Sequence, residues 1–146
     1  MTAFAVVLVA AGGVGGAVQA ALMGRWGERV GTLEAFAFAS LLTALIGTAL
    51  LLAGGGGLGG YAAAARQPIW LWTAGVMSAL IVVGITFAAP RIGTTATIGI
   101  VVAGNLAMAA VIDRFGLFGL DKLPFHWERL LGIALLAAGA ALSLKR

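Results

Sequence analysis

Two side-chain amides stand inside otherwise apolar runs: Gln19 in Ala17-Val18-Gln19-Ala20 and Asn105 in Ala103-Gly104-Asn105-Leu106. An amide both donates and accepts hydrogen bonds. A pair of them therefore suits a neutral or zwitterionic polar molecule better than a bare cation. A polar side chain within a membrane span is costly unless satisfied and tends to mark function. The competing reading is that each amide bonds a neighbouring helix backbone and only holds the bundle together. The carboxylates offer less. Glu34 and Asp113 stand at the ends of apolar runs, and no two carboxylates are spaced for general acid–base work. His126 is the single histidine and cysteine is absent, so the sequence provides no metal-ligand cluster, thiolate or disulfide. These residues predict neither an enzyme nor a cofactor; they predict a polar lining for something that passes or binds.

The elements that must position the amides follow from composition. The 146 residues are 62% hydrophobic and 10% charged, whereas soluble domains carry about 25% charged residues. There is too little charge to coat a soluble surface, so the chain is an all-α integral membrane protein. A net charge of +4 would suggest nucleic acid in a soluble protein. Here the nine basic residues fall in a few short polar segments, where cytoplasmic loops and anionic lipid headgroups account for them.

Apolar runs of about twenty residues, enough to cross the roughly 30 Å hydrocarbon core, predict five spans at 3–23, 33–53, 70–88, 93–112 and 129–144. They make one transmembrane domain over 1–146. Val18-Gln19-Ala20 resembles a signal-peptide cleavage site, but the first span lacks a basic n-region and leads into four more spans. Small residues at helical spacing in that span, Gly12, Gly16, Ala20 and Gly24, suit close helix approach. They serve either a dimer seam or packing within one subunit. Gly24 to Thr32 is expected as the first loop, with Trp26 in the aromatic belt and Glu34 at the mouth of span two. Gly54 to Gly60 reads as a flexible connection and Tyr61 to Gln67 as a short surface turn. Trp70 and Trp72 anchor span three. Ala89-Pro90-Arg91-Ile92-Gly93 is expected to break the chain between spans three and four. The segment 114–128 reads as amphipathic and surface-lying, and Arg129, Lys145 and Arg146 as snorkelling at the ends of span five.

Ala89-Pro90-x-x-Gly93, Ala103-Gly104-Asn105 and Asp113-x-Phe115-Gly116-Leu117-x-Gly119 together resemble the YdcZ-like family of the drug/metabolite transporter superfamily. Asn105 stands where that pattern leads one to expect glutamine. Gln19, Gly24-Arg25, Pro68-x-Trp70-x-Trp72-x-x-Gly75 and Leu130-Leu131-Gly132 agree with it, so the resemblance spans nearly the whole chain. It implies a multi-pass protein of the bacterial inner (plasma) membrane. It also implies that five spans are half of a ten-helix fold with two halves in inverted orientation, a design that creates a substrate site near the midplane. Small multidrug exporters of that superfamily rely on an intramembrane carboxylate that exchanges protons for cations. The corresponding span here has Gln19, which does not titrate.

Charge placement meets that implication independently. With the N-terminus on one side, that side carries Arg66, Arg114, Lys122 and Arg129, against Arg25, Arg29, Arg91, Lys145 and Arg146 on the other: four against five. Orientation follows a Lys/Arg excess, and this balance sets almost none. It predicts insertion both ways round and an antiparallel homodimer, against a single topology fixed by a partner or by bias in a single loop. On the expected spans, Gln19 and Asn105 of one chain differ in depth by about 13 Å, whereas inverting the partner brings its Gln19 within about 5 Å of the Asn105 level. The sequence thus predicts a small-solute transporter with Gln19 and Asn105 lining a central cavity, and Trp26, Trp70, Ser40 and Thr94 as further lining residues. The alternatives are a non-transporting scaffold subunit and a proton-coupled cation exporter using Glu34 or Asp113.

Overall fold

The computed structural model describes residues 2–122 and 127–144. Those residues are helical, with no strand among them. In chain order the helices are α1 (Thr2–Val30), α2 (Thr32–Ala53), α3 (Gly59–Ala65), α4 (Thr73–Ile92), α5 (Thr94–Phe115) and α6 (Trp127–Ser143). Short 3-10 turns at Ile69–Trp72 and Leu117–Gly119 lead into α4 and follow α5. Four of these segments are long and apolar enough to cross a membrane: Ala3–Val30, Thr32–Ala53, Ile69–Ile92 and Thr94–Phe115. Leu130–Ser143 is a shorter apolar helix. In each long span only 6–11% of the most apolar window is buried within the chain. The Leu, Val and Ile side chains point outward, as they do when the bilayer is the solvent.

Two expected boundaries move. The first loop does not exist as a loop: α1 runs on through Arg25, Trp26, Glu28 and Arg29 to Val30, and only Gly31 separates it from α2. Charged residues mark where the hydrocarbon ends, and a helix has no reason to end there. At 29 residues α1 is about 43 Å long, so its last turns extend past the apolar core. Arg25 and Glu28, three residues apart, pair across that turn at 3.4 Å. The second correction concerns Pro90, which lies inside α4 rather than breaking it. A proline this close to a helix end removes one N–H bond, the one Thr86 C=O would have accepted, and its φ remains helical. The break falls at Gly93.

The two breaks are built alike. Gly31 has φ 106° and ψ 148°, and Gly93 has φ 85° and ψ 151°. Each donates its N–H to the carbonyl four residues back (Gly27 and Ala89, both 3.0 Å). Each accepts at its own carbonyl from the N–H four residues on (Ala35 and Thr97, both 3.1 Å). One residue thus ends one helix and starts the next, in a region of φ/ψ space open essentially to glycine alone. The flanking residues repeat as well: Arg29-Val30-Gly31-Thr32 and Arg91-Ile92-Gly93-Thr94.

The chain divides into two compact units, Met23–Phe87 and Met1–Leu22 with Ala88–Arg146. In the first, Met23, Ala35 and Thr86 are buried, and the end of α1 packs on α4 where Gly27 meets Thr86. In the second, Ala20, Ala89, Ala96, Thr97 and Ala140 are buried. There α5 and α6 pack on each other, closely enough at one point that a Cβ on Gly99 would lie 3.0 Å from the Ala140 Cβ. Small side chains at both contacts let backbones approach, which is how helices associate where lipid offers no hydrophobic drive. Non-helical chain follows α2 as expected, but only to Leu58: the short helix expected over 61–67 begins at Gly59 and ends at Ala65. The surface placement expected for Phe125 and His126 and the snorkelling of Lys145, Arg146 and the Arg129 side chain lie outside the described residues.

Candidate functional site

Gln19 projects from α1 and Asn105 from the mid-length of α5. Both are exposed, and among the described residues neither side chain hydrogen-bonds the other or any group of the chain. That sets them apart from the hydroxyls. Thr43, Thr48, Thr86, Thr97 and Ser143 each donate to the carbonyl four residues back along the chain, at 2.7–3.0 Å. Helical hydroxyls satisfy themselves in this way and need no partner. The amides do not, and an unsatisfied amide within a bilayer costs several kcal/mol, of order 1–3 by protein measurements.

The other predicted lining residues are scattered. Trp26 sits in the last turns of α1, half-buried, edge-on to Phe38 of α2 with ring centroids 5.5 Å apart and planes at 69°. Trp70 lies in the 3-10 turn before α4, exposed and engaged within the chain. Ser40 is exposed on α2, and Thr94 is the half-buried first residue of α5. Glu34 lies in the first turn of α2, its carboxylate folded over Gly31.

Hollows among the described residues include two with a polar side chain in their lining. One, of about 420 Å³, lies between α5 and α6, lined by Leu106, Ala109, Ala110 and Asp113 on one side and Gly132, Ile133 and Leu136 on the other. Asp113, itself engaged within the chain, is its charged group. The second, of about 460 Å³, lies beside α3 among Tyr61, Ala64, Ala65, Gln67, Leu71 and Trp72. There Thr48 donates its proton to Ala44 C=O at 2.7 Å. A hydroxyl has one proton, so the Tyr61 hydroxyl is the donor in its short contact with Thr48 Oγ1. Among the described residues no three His, Cys, Asp or Glu side chains gather as a metal site.

The model of a protein family described as "Putative inner membrane exporter, YdcZ" matches residues 4–142. The chain belongs to the YdcZ family. The match takes in Gln19, both glycine breaks, Asn105 and the Asp113 to Gly119 motif. This YdcZ protein is accordingly a multi-pass inner-membrane protein of an exporter family. No curated protein and no solved structure matches the chain. Sequence reasoning had singled out the amides and Asp113. It missed the Gly27–Thr86 contact and the matched glycines, although the Arg-Val-Gly-Thr and Arg-Ile-Gly-Thr repeat was there to be seen.

Proposed function

We propose that this YdcZ protein exports a small neutral or zwitterionic solute as an antiparallel homodimer of five-span chains, with Gln19 and Asn105 facing a central cavity. The observation that carries the reading is that both amides are exposed and make no hydrogen bond among the described residues. In a span, such groups require a partner from outside the chain: a second subunit, water or the solute. Antiparallel pairing supplies the first and encloses the other two. The near balance of four basic residues against five in the expected loops supports insertion in both orientations. The family's description supports export. Alternating access then comes from rocking of helices about a fixed site, as in other inverted-repeat transporters.

A proton-coupled cation exporter is the second reading, favoured by Asp113 lining the α5–α6 hollow. It differs in requiring the Asp113 carboxylate for solute binding, so that Asp113→Asn would abolish binding.

Topology tests the first reading. Because the chain has no cysteine, a single cysteine at Gly57 and another at the C-terminal end can each be labelled in intact cells with a membrane-impermeant thiol reagent. Half-labelling at both positions is the expected result. All-or-none labelling, opposite at the two positions, overturns the inverted homodimer.

A further inference from the structure

We propose that Gly31 and Gly93 are the two joints at which this protein changes conformation. The inference deepens the export reading, since rocking helices must bend somewhere, and it stands on four observations independent of it. First, between Thr2 and Ala53 the one residue outside a helix is Gly31, and between Thr73 and Phe115 it is Gly93. Any reorientation of α1 against α2, or of α4 against α5, that leaves the helices intact has to be absorbed there. Hinges are of this kind: a few element-terminal residues that take up the φ/ψ change.

Second, the two glycines share positive φ, extended ψ and the same pair of backbone hydrogen bonds. Their flanks share the sequence Arg-Val/Ile-Gly-Thr. One joint design thus occurs twice, at residues 31 and 93.

Third, both backbone groups of each glycine are already bonded along the chain. The joint can therefore turn about φ and ψ between settings with those bonds as limits, without exposing a free N–H to lipid. Fourth, the turn before Gly93 is weakened by Pro90, which leaves Thr86 C=O without its usual donor. The joints are not identical in stiffness. Gly93 C=O also accepts from Thr97 Oγ1 at 2.8 Å, a second bond that Gly31 lacks because Ala35 stands at the matching position. Gly31 is the freer joint, and Glu34 folds its carboxylate over it where a Cβ would lie.

Pulsed electron resonance on the purified full chain in lipid vesicles, with spin-labelled copies diluted among unlabelled ones, tests this without a solute. One label pair spans each joint: Val18→Cys with Leu45→Cys across Gly31, and Leu80→Cys with Met108→Cys across Gly93. A pair inside one helix, Val7→Cys with Val18→Cys, is the reference. The expected result is a second distance population across a joint, displaced by about 5 Å, the scale of one helical turn, with a single narrow distance within the helix. Gly31→Ala should abolish the second population across its own joint. Joint pairs as narrow as the reference overturn the proposal, and this wild-type comparison decides even if Gly31→Ala fails to accumulate. Motion at the joints together with a single fixed topology would leave this inference standing while the inverted homodimer fell.

Discussion

Gly27 and Thr86 meet so closely that a Cβ on Gly27 would lie 2.7 Å from Thr86 Cγ2. Thr86 is 1% exposed, the largest fully buried side chain among the described residues, and its hydroxyl donates to Val82 C=O at 2.7 Å. That bond fixes the rotamer and leaves the methyl no retreat. The contact ties the last turns of α1, four residues before Gly31, to the last turns of α4, seven before Gly93.

Gly27→Ala should therefore destabilise the protein by about 1–3 kcal/mol, the usual cost of overpacking. Thr86→Ser keeps the hydroxyl and removes the methyl, so the double variant should recover most of that loss. Unfolding in mixed detergent micelles measures all four proteins of the cycle. Contacting residues couple and distant ones add, so simple additivity of the two changes would show that the contact does not carry the energy.

Thr97→Val removes the hydroxyl that doubles the hydrogen bonding at Gly93 while keeping shape. Thr97 is 3% exposed, so the loss should be about 1 kcal/mol. Thr43 makes the same kind of bond, to Ala39 C=O at 2.9 Å, on an exposed face. Thr43→Val should change stability by less than about 0.5 kcal/mol. Equal effects at the two sites would show that the bond at the joint has no special weight. If Gly93 moves, Thr97→Val should also broaden the distance distribution across α4 and α5.

Long apolar runs made four of the five expected spans legible, because a bilayer demands about twenty such residues whatever the packing; the fifth, Leu130–Ser143, is a shorter apolar helix. Helix ends were less legible, for a physical reason. Hydropathy reports where the hydrocarbon stops, and Arg25 to Arg29 lie beyond it while remaining helical. Likewise Pro90 announces a missing N–H, but near a helix end that costs one bond and the helix survives to Ile92. Both real breaks are single glycines, and glycine is so frequent in this chain, 23 residues, that its presence alone singles out no position. The amides were legible as isolated polar residues in apolar runs. Their lack of partners was not, since hydrogen bonding depends on which face of the helix meets a neighbour.

The close contact of Gly99 on α5 with Ala140 on α6 makes a third prediction. A Cβ on Gly99 would lie 3.0 Å from the Ala140 Cβ and 3.4 Å from its Cα. Gly99→Ala is tight, and Gly99→Leu should force the helices apart and cost about 1–3 kcal/mol. Ala140→Gly should relieve Gly99→Ala but not Gly99→Leu, since only the former fits in the space of one methyl. Gly104→Ala on the same helix, where a Cβ meets nothing within 4 Å, should be nearly silent in the same unfolding assay. A Gly104→Ala loss as large as that of Gly99→Leu would mean that glycine content, not this contact, sets the stability of α5.

The amides allow the most direct test of a cavity. Neither Gln19 nor Asn105 bonds another group among the described residues, so Gln19→Leu and Asn105→Leu should leave the stability of the isolated chain within about 0.5 kcal/mol of the parent. If the amides face a partner across an antiparallel dimer, the same changes should weaken association by about 0.6–1.7 kcal/mol, the range for polar contacts between spans. Gln19→Cys and Asn105→Cys should react with a hydrophilic thiol reagent in vesicles, because a solute pathway is wet. Leu45→Cys, on the exposed apolar surface of α2, should react at least about tenfold more slowly, lacking the water that stabilises the attacking thiolate. Equal, slow reaction at all three positions would place the amides against lipid or dry protein. The central cavity would then fall, while the membrane fold and the glycine joints would stand.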